Sequence, residues 1–395
     1  MNYKLESIKI EKFKKLPAFE VKLANINILV GTNGSGKSSV LQGIHLASCS
    51  MRQAPEVNPR GRVIPISELD YLPTDAYAEL GNGSPWGNKE TSPGSKFTLE
   101  FLDVDSPEGE HAKLSAWCEL RAARNAGISI KGTIPPALQD SLRKKIFSAY
   151  IPGISGIPNR EEKFSKRVVQ RACSFGDSNV YLRNILYLLH KNNGIEALVA
   201  LVNQIIAPNK LAIEIKFNEE KHLSIQCFVS INHRKKPIEL IGTGYLQLIH
   251  IFAYILLLNP GLVLIDEPDN HLHPTIQEKL IPVLNNLSIE RGMKIILATH
   301  SPYIVRGAPL STQILWMMDG RLQIGNRSNL ELALGWGLMG KKLLILSEDQ
   351  DTTLLKKILS QWPDLERQIT VHPGHGYKSL TTPEQAEELM TTLQG

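Results

Sequence analysis

Apolar and polar residues alternate in two short stretches near the start of the chain, residues 3–10 and 19–23. A period of two residues places the apolar side chains on one face of an extended chain, so both stretches predict strands. Residues 26–30 are almost wholly apolar and predict a strand that is buried on both faces. Apolar positions at helical spacing within residues 39–49 then predict a helix directly behind that strand.

The same patterns recur along the rest of the chain and alternate between strand and helix, which favours an α/β fold. Three segments, 97–101, 113–120 and 128–131, predict strands of an antiparallel layer. The remaining predicted elements are a mostly helical stretch over 135–206, a hairpin of strands 212–217 and 223–230, a helix over 246–258, strands over 261–266, 294–299 and 313–317, and a strand–helix–strand unit that starts with 342–348 and ends with 369–371.

Two regions depart from this regular alternation. Residues 50–110 interleave prolines with glycines, which predicts an irregular insertion for most of that length. The helical stretch 135–206 carries no sustained heptad repeat, so it predicts a short arm of about seventy residues, the size of a small domain, rather than a long coiled coil.

Composition and charge add little to this picture. The chain has 395 residues, of which 42% are hydrophobic, and a formal net charge of +5. A mild basic excess permits contact with nucleic acid, but ordinary surface charge explains it equally well. The arm carries a basic edge that fits a solvated helix face better than a DNA contact. That edge consists of Lys163, Lys166, Arg167 and Arg171.

The cysteines and the apolar runs indicate where in the cell the protein is expected. The four cysteines are scattered without a C-x-x-C pair, as is typical of a reduced, cytoplasmic protein. The N-terminal stretch continues as an amphipathic strand, so we expect no signal peptide. The most apolar run, 246–265, is broken by Asn259-Pro260-Gly261 and predicts a core helix, a turn and a core strand rather than a membrane span.

Residues 31–39 match G-x-x-x-x-G-K-[ST], the phosphate-binding loop of nucleotide hydrolases, and lie between a predicted strand and a predicted helix. Glycine lets the chain curl around a phosphate, and the helix N-terminus attracts the phosphate charge. In such a loop Lys37 reaches the β- and γ-phosphates of ATP, and the Ser38 hydroxyl binds Mg²⁺. The candidate nucleotide-binding residues are Gly31, Asn33, Gly34, Ser35, Gly36, Lys37, Ser38 and Ser39.

A second motif lies far downstream, where the apolar strand 261–266 ends in Asp266 and Glu267. Buried carboxylates are unfavourable unless they meet a cation, so an acidic pair closing an apolar strand indicates a metal or nucleotide site. We assign Asp266 to Mg²⁺ and Glu267 to the attacking water, which it orients and deprotonates as the catalytic base. Lys37 and Asp266 then form a split Walker A and Walker B pair. The alternative, a chance glycine turn before Lys-Ser, does not account for this second motif.

Three further pieces occur in the order found in ABC-type ATPases. Gly242, Thr243 and Gly244 open the predicted helix 246–258 and resemble a degenerate signature motif, which contacts the γ-phosphate bound by a partner subunit. Residues 269–274 resemble a D-loop, and its two histidines, His271 and His273, have no evident third ligand for zinc.

The third piece is His300, which follows the strand 294–299 and matches the catalytic switch histidine that senses the γ-phosphate. Gln53 is a weaker candidate for the glutamine of the Q-loop. Its position soon after the first helix is unusual for that role, so we interpret it as a surface residue.

The last segment opens with a strand that ends at Glu348 and resembles the start of a Toprim domain, in which such a glutamate binds metal. No Asp-x-Asp pair follows Val371, so a two-metal site is incomplete. The domain is therefore either truncated or degenerate in this chain. Glu348, Asp349 and Asp351 fit the acidic start of a helix equally well.

The strand, Phe-Lys, strand and phosphate-loop order resembles the RecF, SMC and OLD ATPases, and with the short arm and the Toprim-like tail the chain is most similar to the OLD family. Gly-Thr-Gly-x-Leu-Gln, Asp-Glu-Pro-Asp-x-His-Leu-His-Pro and Leu-Gly-Trp-Gly resemble the retron-associated and Septu-type anti-phage ATPases. This resemblance implies an ABC-type P-loop NTPase head with an antiparallel β layer, a short helical arm insertion and a C-terminal Toprim-like α/β segment.

The predicted parts are an N-terminal ATPase lobe over 1–134, the arm over 135–206, a C-terminal ATPase lobe over 207–332 and the Toprim-like segment over 333–395. The resemblance further implies ATP and Mg²⁺ as ligands and a homodimer, or a higher oligomer, that closes around ATP. It also implies control of a nuclease, with a nuclease or a reverse transcriptase and its RNA as partner and DNA or RNA as target. The alternatives are a RecF-type clamp in DNA repair and a scaffold that binds ATP without turnover.

Overall fold

The computed structural model of the protein describes residues 3–53, 61–89, 93–103, 113–124, 127–144, 146–153, 156–176, 179–218, 220–309, 311–323, 343–347, 351–359, 361–362 and 369–373. The chain forms two compact units, Met1–Gln323 and Ile324–Gly395. Three separate parts were predicted within residues 1–332, but residues up to Gln323 belong to one compact unit. The boundary predicted near residue 332 lies outside the described residues.

The first unit contains fifteen strands among its described residues. They are β1 Tyr3–Phe13, β2 Leu16–Lys22, β3 Ile26–Val30, β4 Arg62–Pro65, β5 Ser95–Asp103, β6 Lys113–Ala123, β7 Gly127–Thr133, β8 Ser148–Ile151, β9 Leu211–Lys216, β10 Gln226–Ile231, β11 Arg234–Pro237, β12 Leu262–Asp266, β13 Lys294–Thr299, β14 Gln313–Met318 and β15 Arg321–Leu322. Its α-helices are α1 Lys37–Met51, α2 Lys166–Phe175, α3 Leu182–Lys191, α4 Ile195–Ile206, α5 Thr243–Leu258, α6 Pro274–Arg291 and α7 Pro302–Arg306.

The strands form a central sheet in the order β15-β14-β3-β13-β12-β8, an antiparallel sheet in the order β2-β1-β5-β6-β7-β4, and a small sheet β11-β10-β9. All pairs of the central sheet except β14–β15 are parallel. Parallel strands are buried on both faces, which explains why β3 and β13 are wholly buried. The parallel arrangement brings the carboxyl ends of β3, β12 and β13 to one edge of the sheet.

Helix α1 joins the two large sheets. Its apolar residues Val40, Leu41 and Ile44 belong to the same buried core as β1 and β5. At Gly43 an added Cβ would lie 3.0 Å from the ring of Phe13, so the helix can approach β1 this closely because residue 43 has no side chain. The predicted antiparallel layer is thus confirmed, and it anchors the helix that starts at the phosphate loop.

The structure corrects one boundary of the predicted helical arm. Ser148–Ile151 is the edge strand β8 of the central sheet, paired in parallel with β12, although we expected residues 135–206 to be mostly helical. All four residues are buried, so they show no alternation of apolar and polar positions, and the run is too short to be distinguished from a buried helical segment. The three helices α2, α3 and α4 follow this strand.

Two further short strands were not predicted from the sequence. β4 lies within the insertion that we expected to be irregular, and it pairs with β7 at the edge of the antiparallel sheet. β11 consists of Arg-Lys-Lys-Pro and extends the predicted hairpin of β9 and β10 to three strands. Neither strand carries an apolar alternation, since both are mostly exposed edge strands, where packing does not constrain the sequence.

A buried polar network holds the arm against the rest of the first unit. Glu161 accepts hydrogen bonds from the backbone N–H groups of Arg183 and Asn184 and from the Asn184 side chain. Burial raises the pKa of Glu161, and these donors oppose that shift. Arg183 also donates from Nη2 to Oε2 of Glu239 at 2.8 Å, which ties the arm to the segment that precedes α5.

The second unit has β16 Leu343–Ser347, α8 Thr353–Leu359 and β17 Ile369–Pro373 as its described elements. β16 and β17 pair in parallel, which confirms the predicted strand–helix–strand unit. The side chain and the backbone amide of Thr353 lower the pKa of Asp351, and the amide donates to the carboxyl group at 2.9 Å, which caps the start of α8. Glu348 and Asp349 lie outside the described residues, so the metal role predicted for Glu348 stays a prediction.

In the described part of the chain, no helix combines the length and the apolar character needed to cross a membrane.

Candidate functional site

The loop between β3 and α1 has the conformation that its glycines allow. Gly34 and Gly36 have φ angles of 74° and 106°, in the left-handed region that favours glycine. A Cβ at Gly31 would lie 2.4 Å from the backbone oxygen of Met317 and 2.6 Å from Oγ of Ser35. The loop therefore requires glycine both for its turn and for its close packing. Asn33 lies exposed at its tip, whereas Ser39 is buried in the first turn of α1.

Lys37 is the buried cation of this loop, with 5% of its surface exposed. Its Nζ donates to the carbonyl oxygens of Gly31 at 2.8 Å and Thr32 at 3.0 Å. Burial lowers the pKa of Lys37, while the carboxylates of Glu267, Asp266 and Asp269 oppose that shift. The ammonium group is thus held inside the loop, on the side where the acidic residues lie.

The hydroxyl of Ser35 provides a test of whether the loop suits a phosphate. Ser35 Oγ is buried and has no hydrogen-bond partner among the described residues. A buried hydroxyl without a partner is unfavourable, and a phosphate oxygen is an acceptor that would satisfy it. The side chain, the glycines and the N-terminus of α1 together fit an anionic ligand.

Asp266 brings the second half of the sequence to this loop. Ser38 Oγ donates to Oδ1 of Asp266 at 3.1 Å, although the two residues are 228 positions apart. The hydroxyl of Tyr150 donates to the other oxygen, Oδ2, at 3.0 Å. Burial raises the pKa of Asp266, and the bonds from Tyr150 and Ser38 oppose that shift. Ser38 and Asp266 together offer the oxygen ligands that Mg²⁺ prefers.

Glu267 follows at the tip of β12 in an unusual backbone conformation. Its φ angle is 48°, and its amide donates to the Ala298 carbonyl at 2.9 Å. A non-glycine residue at positive φ is sparsely populated and is found at functional sites. Asn270 Nδ2 donates to Oε2 of Glu267 at 3.0 Å, which fixes the carboxylate. The Glu267 side chain is 37% exposed, so water can reach it.

His300 lies beside two of the carboxylates. Its Nδ1 is 3.9 Å from Oε1 of Glu267 and 3.8 Å from Oδ2 of Asp269. Asp269 is buried, and its Oδ1 accepts a hydrogen bond from Thr299 at 2.5 Å. Burial raises the pKa of Asp269, and the Thr299 hydroxyl opposes this shift most strongly. The ends of β12 and β13 thus place His300 next to Glu267.

The signature-like turn lies at the N-terminus of α5. Gly242 is the N-cap residue, with φ −61°, and Thr243 is the first helical residue. A Cβ at Gly244 would lie 2.8 Å from the backbone oxygen of His271, so the helix start packs against the D-loop-like turn. His271 and His273 do not form a metal cluster, and no group of three or more potential ligands occurs among the described residues. His273 instead caps α6 through Nδ1.

Sequence reasoning missed two contributors to the site. Tyr150 was missed because its strand, β8, was not predicted. Lys14, in the turn between β1 and β2, donates from Nζ to Oε1 of Gln42 at 2.6 Å; burial lowers its pKa, and Asp266 opposes that shift. Its neighbour Lys15 donates to the Gly34 carbonyl at 2.7 Å. The Phe-Lys pair before the phosphate loop was the available signal for this turn.

Gln53 lies away from this site. It follows the C-terminus of α1, whose 15 residues separate it from the phosphate loop by roughly 20 Å at 1.5 Å per residue. Its Nε2 approaches the carbonyl oxygen of Glu68 at 3.4 Å. Gln53, which we interpreted as a surface residue, is half-buried at the end of α1.

Comparisons with known proteins bear on the fold. Residues 150–306 match the family described as "AAA domain, putative AbiEii toxin, Type IV TA system", and residues 3–58 match the family described as "AAA ATPase domain". The ATP/GTP phosphatase of Helicobacter pylori is 20% identical over 331 residues, which cover 75% of this chain and 85% of that protein. ABC transporter H family member 2 of Dictyostelium discoideum is 28% identical over 146 residues, 36% of this chain. The match spans 27% of the Dictyostelium protein's length.

A solved SMC head, bound to the C-terminal winged-helix domain of ScpA, covers 83% of this chain and 99% of its own length. The two share 13% sequence identity with a TM-score of 0.51, a likeness that concerns the fold. Together with the ATPase-family matches, it shows that the protein has the fold of an ABC-like P-loop ATPase. The matched ATPase families imply ATP binding.

Proposed function

We propose that the protein is an ATP-hydrolysing switch that forms a dimer around ATP and controls a nuclease in bacterial anti-phage defence. The observation that carries the ATPase part is the hydrogen bond between Ser38 and Asp266, with Lys37 and Glu267 beside it. Two segments of distant sequence meet in the arrangement that phosphoryl transfer to water requires. The similarity to ATPase families supports this part of the proposal.

In this proposal the loop residues bind the triphosphate of ATP. Lys37 and the loop amides attract the phosphate oxygens, and the Ser35 hydroxyl donates to one of them. Ser38 and Asp266 hold Mg²⁺, which neutralises charge on the phosphates when it is bound with ATP. The raised pKa of Asp266 fits such a role, because a nearby cation favours the ionised carboxylate that burial disfavours.

Glu267 is the catalytic base that orients the attacking water and accepts its proton. Its partial exposure admits water, and the bond from Asn270 keeps the carboxylate in place. His300 senses the γ-phosphate through a hydrogen bond. Its Nδ1 lies less than 4 Å from Glu267 and Asp269, so the ring is beside the proposed base, where the γ-phosphate would lie.

The dimer follows from the position of the signature-like turn. Gly242, Thr243 and Gly244 lie at the N-terminus of α5, and the first two are exposed, so the helix start suits an anion bound by a second protomer. ATP therefore joins two heads in a homodimer, which can assemble further, and hydrolysis releases them. The fold shared with an SMC head supports this arrangement.

The control of a nuclease rests on the resemblance to anti-phage ATPases. In this proposal the protein acts in the cytoplasm, and the cutting of DNA or RNA belongs to the Toprim-like segment with Glu348 or to a partner. That partner is a nuclease, or a reverse transcriptase with its RNA. Purification with the products of neighbouring genes tests this part: cleavage of DNA or RNA should depend on ATP state, and cleavage indifferent to ATP contradicts it.

A phosphate-release assay tests the hydrolytic part. Glu267→Gln should lower the rate by about a hundredfold or more, because removal of a positioned base costs on the order of 10²–10⁴. ATP should stay bound, since Lys37, Ser38 and Asp266 are unchanged. Glu290→Gln, an exposed change on α6, serves as the matched control. Hydrolysis by Glu267→Gln at the parental rate contradicts the assignment of the base.

A further inference from the structure

A large basic cavity lies at the sheet edge opposite the phosphate loop. Its volume is about 1170 Å³, and its wall includes Gly261 before β12 and Lys294 at the start of β13. The phosphate loop, Asp266 and His300 follow the carboxyl ends of the same parallel strands, so this cavity is a separate place in the fold. It is large enough for a small organic ligand, for which pockets of about 300–1000 Å³ are usual.

The lining of this cavity is strongly positive. Five arginines and two lysines line it, against the two carboxylates Glu68 and Asp70, which leaves an excess of five positive charges. The formal net charge of the whole chain is also +5, so the rest of the protein is balanced overall. The lining of this concave surface is therefore more basic than the chain as a whole.

Helix ends explain only part of this excess. α1, α5 and α6 end at the cavity, and Ser174 brings the last turn of α2 to it. Each helix C-terminus carries roughly half a negative charge, so the four ends contribute about two negative charges. About three positive charges remain after this compensation. Stabilisation of helix ends thus does not account for the number of basic side chains.

Two of the arginines that line the cavity donate to neutral oxygen atoms. Arg171 Nη2 donates to the Ser67 carbonyl at 2.8 Å, and Arg291 Nη1 donates to Oδ1 of Asn259 at 3.2 Å. Arg52 pairs with Asp70 at 3.0 Å, which engages one of the two carboxylates. Bonds to neutral oxygens orient a guanidinium group and leave its charge available to an anion.

Lys294 is a buried cation in the wall of this cavity. It is 6% exposed, and its Nζ donates to the Leu23 carbonyl at 3.1 Å. Burial and the nearby Lys4 ammonium lower the pKa of Lys294 to about 8, while Glu6 opposes the shift. Burial makes this cation unfavourable in spite of Glu6, and a bound anion would stabilise it further.

We propose that this cavity binds a compact ligand with several phosphate groups, of the size of a nucleotide or an oligophosphate. Arginine pairs with phosphate through two parallel hydrogen bonds, which suits the arginine-rich lining. The basic side chains converge from several elements onto a concave surface. A DNA duplex, whose charge extends along an axis, would need an extended stripe, so the shape favours a compact ligand.

Calorimetric titration of the full chain with sodium tripolyphosphate tests the proposal. In a Lys37→Ala background, which disables the phosphate loop as a second site, Arg167→Gln/Arg291→Gln should weaken binding by about tenfold or more, since each change removes a charged donor. Both side chains are exposed, so the fold should tolerate the change, which circular dichroism verifies. Arg124→Gln/Lys131→Gln removes two exposed cations outside the cavity and should leave binding unchanged.

Lys37→Ala separates this cavity from the phosphate loop. Tripolyphosphate binding that persists in Lys37→Ala supports the proposal, and it does so whether or not the protein hydrolyses ATP. Binding lost in Lys37→Ala but kept in the arginine double variant would place the probe in the phosphate loop and overturn the proposal. The proposal would also be overturned if the cavity variant and the control variant lost tripolyphosphate binding equally, or if tripolyphosphate did not bind the protein at all.

Titration with a short DNA duplex shows whether the cavity binds a compact phosphate ligand or the phosphates of a nucleic acid. Displacement of the duplex by tripolyphosphate, with both lost in the arginine double variant, supports a compact phosphate site at this surface. The opposite result is also possible: the duplex binds and needs the two arginines, while tripolyphosphate neither binds nor competes. That result would identify a nucleic-acid surface and overturn the compact-ligand proposal.

Discussion

At the scale of single residues, Asp266 is where the two halves of the sequence meet. One of its oxygens accepts from Ser38 in the phosphate loop, and the other accepts from Tyr150 on β8. The sequence predicted that Ser38 and Asp266 lie together, because each lies in a motif with a recognisable spacing, whereas their roles stay a proposal. Tyr150 has no such motif, and its contact with Asp266 depends on the pairing of β8 with β12, which periodicity does not reveal.

Tyr150→Phe tests the role of that contact. Loss of the hydroxyl frees one oxygen of Asp266, so we expect the Mg²⁺ concentration for half-maximal hydrolysis to rise by about tenfold, as when a partner of a metal ligand is removed. The maximal rate should change less, because Glu267 is untouched. Titration of hydrolysis with Mg²⁺ measures this effect. Tyr187→Phe, on the arm helix α3, is the control, and an equal Mg²⁺ dependence in all three proteins would disprove the role of Tyr150.

Asp266→Asn tests how much the buried, ionised carboxylate of Asp266 lowers the free energy of unfolding. Because burial raises the pKa of Asp266, its ionised form destabilises the metal-free protein above that pKa, and the cost disappears as the pH falls through it. At pH 7 without Mg²⁺, the variant should therefore melt about 2 °C higher than the parent. The difference should shrink at acidic pH, where the parent is protonated.

Thermal melting of the metal-free proteins at several pH values measures this effect. Asp75→Asn changes an exposed carboxylate and should leave the melting temperature unaltered at every pH. A lower melting temperature for Asp266→Asn at pH 7 would show that the carboxylate stabilises the metal-free fold, contrary to the expected result.

At the scale of elements, segments with a strong sequence pattern were predicted correctly, whereas short strands that are buried or lie at a sheet edge were not. β3 was predicted with its exact bounds, and α1 was predicted within two residues at each end, because an apolar run, glycines and a helix follow one another. β8 is too short and too uniformly buried to show a period. β4 and β11 are edge strands whose exposed residues follow no pattern.

Helix α5 offers a test of the proposed dimer. Gly242→Asp is compatible with the fold, since φ is −61°, the nearest atom to an added Cβ is 3.7 Å away, and aspartate is a favourable N-cap residue. The new carboxylate should repel a γ-phosphate bound by the partner. In a Glu267→Gln background with ATP, we expect the parent to form a dimer of 44.0 kDa subunits and the Gly242→Asp variant to stay monomeric.

Light scattering after size exclusion measures the mass. Ser165→Asp adds the same charge at the N-cap of α2, away from α5, and should leave the dimer intact. A dimer that survives Gly242→Asp would place the interface elsewhere on the molecule.

At the scale of the whole molecule, the chain separates two sites along one parallel sheet. The strand ends that carry Lys37, Asp266 and His300 form the candidate ATP site, and the strand starts border the basic cavity around Lys294. The order of motifs predicted the first, because each motif has a known chemical role. It did not predict the second: Arg167 and Arg171 were noted as part of a basic edge of the arm and interpreted as a solvated face. The other basic side chains come from distant segments and meet these two only in the folded unit.

The most direct test of the central claim is calorimetric titration of the protein with ATP, with and without Mg²⁺. The titration uses the Arg167→Gln/Arg291→Gln background, so that the basic cavity does not contribute a second site. In that background we expect one ATP per chain, bound more tightly with Mg²⁺, and no binding once Lys37→Ala is added, while added Lys113→Ala, an exposed change on β6, leaves binding unchanged. Folded background protein that gives no heat with ATP, or ATP binding that survives Lys37→Ala in that background, would contradict the account.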